Sequence, residues 1–405
     1  MELALQFGYG MMEHCRQLLR SWNGGTVVLS PRDLNNAQLH RLASDVTSIE
    51  GGGVLLDPQF YLPQADHDRL LSHDYWPEEF ASDAFFSGPG LTELLTTLLG
   101  LNHSLGTQAM VLPGMLSTHA DDVWLARHEA FLHAARELAG DLPVWATLAL
   151  DSDTLRSRER VTAILDAVSR WEPDAFYLVC EHPNGDYLVD DPLWLAHVLD
   201  LVAGLRLAGS NVVIGYCNHQ MLISEVACAN AICSGTWMNV RSFPPDKFRS
   251  SYEDEIRRRT TWYYSPQALS EYKIPFLDVA HESGILDLLQ PDDTTNGGYA
   301  DQLFSGVQPT TTGFTEQAAF RHYLHALRAQ AMAASDASSY DEALEQHRQL
   351  LDQADSLLGT LVANGVTGQN RDFGECIEVN RSALTLFDRI RGPMLRRRWG
   401  ELRSA

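Results

Sequence analysis

The sequence predicts an α/β fold: a (β/α)8 TIM-like barrel with a C-terminal helical extension. Two observations predict it. Apolar runs of strand length alternate with stretches of helical spacing between residues 24 and 289, giving roughly eight strand candidates. Polar and charged residues also gather where those runs stop, as they do when a site is built at the carboxyl ends of parallel strands. The runner-up is an open doubly wound sheet. It is disfavoured because Ser30-Pro31-Arg32-Asp33 follows the first apolar run, where a Gly-rich phosphate loop would be required.

Residues 1–23 are expected to form an N-terminal amphipathic helix, with Gly24-Gly25 closing it. A barrel over 24–289 follows, with strands at 26–29, 54–56, 107–112, 143–150 and 175–180. Further strands are read at 212–216, from Ile232 to Arg241, and at 274–279. Helices fit 34–48, 89–101, 119–139, 154–171 and 191–208, with a short one at 265–272. The aromatic stretch 58–88 is long enough for a lid or binding loop, and 244–264 reads as a charged, aromatic insert. Residues 290–313 read as a linker or loop, and 314–405 as a C-terminal helical region with helices at 314–334, 339–364 and 371–391.

Bulk properties narrow the function. The chain has 405 residues, 45% of them hydrophobic, and suits a large barrel with an appendage. Thirty basic against 53 acidic residues give a net charge of −23, which repels polyanions and makes nucleic acid a doubtful partner. No apolar run approaches the roughly 20 residues needed to span a bilayer, so no membrane is expected. The first residues lack a basic signal-peptide region, and six dispersed cysteines form no disulfide framework. A cytoplasmic location is therefore expected.

Side chains two apart at a strand end share a face. In Cys180-Glu181-His182 and Cys217-Asn218-His219 the cysteine and histidine are so placed, which makes His182, His219 and Cys217 candidate ligands for a divalent metal, zinc first. The alternative is that the cysteines fill the core and the histidines are simply hydrogen-bonded. Cofactors are otherwise unknown. Carboxylates form the second group: Asp57, Glu181 and Asp278 are candidate acid–base residues at strand ends, while Asp151 fits a helix cap. Asp57 leads because it ends a wholly apolar run and opens the aromatic loop. Arg32, Gln59, Asn218, Asn239 and Arg241 are candidate substrate-binding residues, with Gly215 and Gly235 leaving room for a planar ligand. The Arg396-Arg397-Arg398 run and the C-terminal helices could meet a protein partner; a solvated helix end is the plainer reading.

Two stretches carry a family likeness. VLLDPQFY, at 54–61, resembles the second-strand motif of the tRNA-guanine transglycosylase family, in which an Asp at a strand end precedes a Gly-rich turn and Phe-Gln. NAICSGTWMNVRSF resembles that family's strand bearing the nucleophile, followed by a loop with Asn and Arg. The likeness covers residues 25–285 and implies that Asp57 is acid–base residue and base reader, with 233–241 bordering the nucleophile. The chain departs from the pattern in three places. Ser234 stands where the nucleophilic Asp is expected, Pro58-Gln59 replaces the small turn, and the zinc motif is absent, Cys376 being the only cysteine after the barrel.

The expectation is an enzyme acting on a nucleobase, nucleoside or similar polar ring by carboxylate and histidine chemistry, with base exchange as the specific reaction and a small-molecule or nucleotide-derived substrate. The alternatives are a metal-dependent hydrolase using His182 and His219, and a non-catalytic barrel that binds a ligand or partner.

Overall fold

The computed structural model describes residues 1–77, 80, 83–250 and 260–404. Part of the predicted insert, residues 251–259, lies outside the described residues. The parallel strands are β1 (Glu2–Gln6), β2 (Gly25–Leu29), β3 (Gly52–Leu56), β4 (Met110–Val111), β5 (Val144–Leu150), β6 (Ala175–Cys180), β7 (Asn211–Gly215) and β8 (Ala231–Ser234). The longer helices are α1 (Met12–Trp22), α2 (Asn36–Thr47), α3 (Pro89–Leu105), α4 (Asp122–Leu138), α5 (Arg158–Val168), α6 (Pro192–Leu207), α7 (Ile274–Glu282), α8 (Glu316–Ala334), α9 (Tyr340–Ala363) and α10 (Gly374–Ser404).

The eight strands pair in the order β3-β2-β1-β8-β7-β6-β5-β4. The two ends of that order meet where the Gln108 amide donates to the Val54 carbonyl at 2.9 Å, so the sheet curls into a nearly closed (β/α)8 barrel. An open sheet would hold those ends apart.

Four sequence expectations need correction, the first being that the strand read from Ile232 to Arg241 ends at Ser234 and a 3-10 turn, Met238–Val240, follows it. Residues 1–23 are not one helix: Glu2–Gln6 is a barrel strand, and α1 begins only at Met12. Leu3, Ala4, Leu5 and Gln6 are all buried, as in a parallel strand covered on both faces, and such a run has no alternation to distinguish it from a helix. The apolar run at 274–279 is the start of α7, with Pro275 in its first turn, where a missing amide hydrogen costs nothing. The strand count is completed by β1 instead. The expected short helix at 265–272 is an antiparallel hairpin, β9 (Trp262–Ser265) and β10 (Ser270–Lys273), with Tyr272 opposite Tyr263.

The C-terminal region also joins the barrel more closely than a linker-separated domain would. A 3-10 segment, His219–Ala227, stands in the wall after β7, and α8 packs on β1 between that segment and α1. The last helix, α10, lies along α6 and against α9. That placement explains why α6 is buried all round from Trp194 to Ala203: barrel and extension cover opposite sides. No helix among the described residues is long and apolar enough to cross a membrane.

Candidate functional site at the carboxyl end of the barrel

Asp57 follows β3 directly and still pairs with β2, its amide donating to the Leu29 carbonyl at 3.2 Å. The residue is 1% exposed. Three donors make four contacts with its carboxyl. The Gln59 amide and Tyr61 hydroxyl reach Oδ1 at 2.9 Å each, and the hydroxyls of Tyr61 and Tyr216 reach Oδ2 at 2.8 Å each. Burial raises the pKa of Asp57 above the usual carboxylate value, while Tyr216, Tyr61, the Gln59 amide and nearby Lys247 pull the other way.

Gln59 and Tyr216 carry this arrangement in strained backbone. Their φ angles are 54° and 57°, a left-handed region that non-glycine residues seldom occupy. Gln59 Nε2 donates to Tyr216 Oη at 3.0 Å and to Ser30 Oγ at 2.9 Å, and its Oε1 accepts from the Arg32 amide at 2.8 Å. One layer deeper, the Tyr177 hydroxyl donates to Gln6 Oε1 at 2.9 Å, and Gln6 Nε2 has no partner among the described residues.

The segment after β8 closes this centre from above. Phe243 packs at 4.9 Å from the Tyr61 ring and 5.2 Å from the Tyr216 ring, and Phe248 at 5.0 Å from Tyr61. Lys247 is fully buried, with Nζ 4.3 Å from the Tyr216 ring centroid and donating to the Asn239 carbonyl at 2.8 Å. Arg32 Nε fastens the segment to β2 by donating to the Lys247 carbonyl at 2.7 Å.

The structure therefore brings Asp57, Gln59 and Arg32 together, with the Asn239 backbone at the edge. Glu181 is half-buried at the rim and accepts from the Ser152 amide at 3.0 Å. Burial raises its pKa first, and Asp151, Asp153 and Asp246 add to the rise. Asp151 is the helix cap its sequence suggested, accepting from the Thr154 amide at 3.0 Å.

Other candidates are engaged elsewhere. Asp278, on α7 rather than a strand, braces the turn at 308–310, accepting from Gln308 Nε2 and from the amide and hydroxyl of Thr310. Gly215 and Gly235 leave no room for a ligand: a Cβ there would strike the Tyr177 hydroxyl and the Gln6 carbonyl, respectively. Asn218 caps the 3-10 segment and donates to the Tyr187 carbonyl.

The expected metal set does not form. Among the described residues no three His, Cys, Asp or Glu side chains are grouped to hold an ion. Strand alternation, which put Cys217 and His219 on one face, stops at Gly215 because Tyr216 turns left-handed. The Cys217 thiol donates to the Ile214 carbonyl, and His182 Nδ1 lies 2.9 Å from the Asp186 carbonyl oxygen.

Arg241 is also outside the Asp57 centre. It is 2% exposed, donates through Nε to the Gly235 carbonyl at 2.8 Å, and pairs with Glu271 at 3.2 Å. Sequence reasoning missed Tyr216 and Lys247 at the Asp57 centre and Glu271 beside Arg241, and took Tyr61 only as one of the loop aromatics that could stack on a ring or pack the loop. The one usable signal was local: Tyr61 lies four residues after Asp57, and Tyr216 directly follows a strand glycine.

No family model and no curated protein sequence matches the chain. Among solved structures, a variant of the carboxyl transferase domain of pyruvate carboxylase from Rhizobium etli, determined with pyruvate, is similar at a TM-score of 0.34 and 10% identity. The alignment covers 86% of this chain but only 64% of that one, and at this level the likeness says nothing about chemistry.

Proposed function

We propose that the chain is an enzyme that moves a proton at Asp57 while acting on a polar ring, a nucleobase or nucleoside, with base exchange as the specific reaction. The observation that carries this reading is strain directed at one carboxyl. Gln59 and Tyr216 each hold a left-handed backbone, and each delivers hydrogen bonds to the Asp57 network. Such conformations cost about 1–3 kcal/mol apiece and concentrate at reactive centres. A buried carboxyl of raised proton affinity between tyrosine hydroxyls suits general acid–base work. Phe243 and Phe248 cover it, so a ring reaches Asp57 only when their segment lifts.

A second reading, a ligand-binding barrel without turnover, is favoured by the three protein donors that already hold the Asp57 carboxyl. One experiment separates the two. Purified chain is screened by thermal shift against nucleobases and nucleosides, and the binders are assayed for exchange of a labelled base. The enzymatic reading expects Asp57→Asn to keep binding while losing about 100-fold or more in turnover. Equal turnover in the variant, or no stabilisation by any ring, overturns it.

A further inference from the structure

The helix that covers β1, α8, meets α1 along a seam of rings and cations. Arg321, His325 and Arg328 stand four and three residues apart on α8 and so share one helix face. Against them α1 sets His14 and Trp22. Arg321 Nε donates to His14 Nδ1 at 3.3 Å, and Trp22 Nε1 donates to His325 Nδ1 at 3.2 Å. A guanidinium and an indole nitrogen only donate, so each Nδ1 must hold a lone pair. A second proton on either ring removes that lone pair, and the bond across the seam goes with it.

The surroundings of both rings oppose that proton. His14 is buried edge-on to Phe320, with ring centres 5.9 Å apart. Burial, helped by the Arg321 charge and opposed by Glu13, brings its pKa down to about 4. His325 is half-buried beside Tyr299, at 5.9 Å, and against Gly297, where a Cβ would come within 2.7 Å of the ring. Burial, then Arg328, lowers its pKa as well. The Arg328 guanidinium lies 5.0 Å from the centre of the Trp22 ring. From β1, Glu2 acts on Arg328, and Asp301 acts on His322, three residues before His325. Protonation therefore breaks both bonds and sets one new positive charge beside Arg321 and another beside Arg328.

We propose that the α1–α8 seam is a proton-sensitive latch: with both imidazoles neutral it holds α8 on the barrel, and protonation of His14 and His325 frees that helix from α1 and uncovers β1. Because both folded values lie below the unfolded one, the unfolded chain takes the proton first. The latch therefore contributes fully above the unfolded value of 6.5, and its contribution is lost as pH falls from there toward the folded value, about 4 for His14. The device is independent of chemistry at Asp57.

The test is hydrogen exchange of the full chain followed by mass spectrometry between about pH 7.5 and pH 5, corrected for the intrinsic pH dependence of exchange. Protection of Glu316–Ala334 and Glu2–Gln6 should fall about tenfold or more over that range relative to Val144–Leu150 and Ala175–Cys180. His128, His322 and His347 are also buried with pKa values of about 4, so some loss of protection is expected throughout the chain. A variant carrying both His14→Gln and His325→Gln isolates the seam, because an amide accepts a hydrogen bond but takes no proton. Its α8 protection should follow that of the reference strands at every pH. Ring titration by NMR of histidine-labelled parent, assigned with the two single variants, gives a second reading that does not need the double variant to fold: both rings should titrate below 6.5. A loss of protection equal in all elements, a double variant that loses α8 protection as the parent does, or either ring titrating at or above 6.5 overturns the proposal.

Discussion

Tyr216, just past β7, donates a 2.8 Å hydrogen bond to Asp57, just past β3 and 159 positions earlier in the chain. The bond spans the barrel and is held by a residue in a left-handed conformation.

Replacing Tyr216 with Phe removes that donor from a buried carboxyl and removes one of the two acceptors of Gln59 Nε2. The expected loss is about 1–3 kcal/mol in urea unfolding at neutral pH. A loss below about 0.5 kcal/mol would mean that the hydroxyl contributes nothing there.

Asp57 also makes stability depend on pH. Its folded pKa lies above the unfolded value, so the native state holds the proton more tightly than the unfolded chain. Its contribution is therefore full below the unfolded value, near 3.8, and is lost as pH rises through the raised folded value. Asp57→Asn should gain stability relative to the parent as pH rises above about 4. Parallel stability curves for the two proteins across that range would contradict the shift.

Glu271 behaves oppositely. Burial alone would raise its pKa, but Arg371, Arg241, His219 and Tyr187 lower it to about 2. Its contribution is present above the unfolded value, near 4.5, and is lost as pH falls toward 2. Glu271→Gln leaves the buried Arg241 and the partly buried Arg371 guanidiniums without their shared carboxylate and should cost about 3–5 kcal/mol at neutral pH. It should also remove a component of the acid unfolding slope between pH 4.5 and 2. A variant within about 1 kcal/mol of the parent would show that the cluster is not charge-coupled.

The two strand glycines differ in what they face. A Cβ at Gly235 meets the Gln6 backbone oxygen, which cannot rotate away, whereas one at Gly215 meets the Tyr177 hydroxyl at the end of a side chain. Gly235→Ala should therefore destabilise more than Gly215→Ala, by about 1–3 kcal/mol or more against a smaller loss. Circular-dichroism melts of the pair check the order, and the reverse order would refute the packing argument.

The sequence showed those parts whose physics is local. Val54-Leu55-Leu56 ending in Asp57 was readable because a carboxylate at the end of a fully apolar run marks the point where a buried strand leaves the core. Asp151 announced its cap through Ser152-Asp153-Thr154. The run at 274–279 misled because a short apolar stretch fits a strand or a buried helix equally; Pro275 was the cue that decided it. The distant partners of Asp57 and Glu271 left far less trace than Gln59 and Tyr61, which follow Asp57 within four residues. Tyr216 reaches Asp57 only after the barrel curls, and Arg371 finds Glu271 from 100 positions away. Such pairs leave no periodicity to detect.

The position of β1 has a consequence for how the molecule is made. Its pairing with β2 is nearly immediate in synthesis, but its other edge waits for Ala231–Ser234, and its outer face waits for Glu316–Ala334. Until then a strand of buried residues presents an unpaired edge, the arrangement that slows folding and invites wrong partners. A nascent chain stopped between β8 and α8 would hold every barrel strand and still lack the helix that seals the first one.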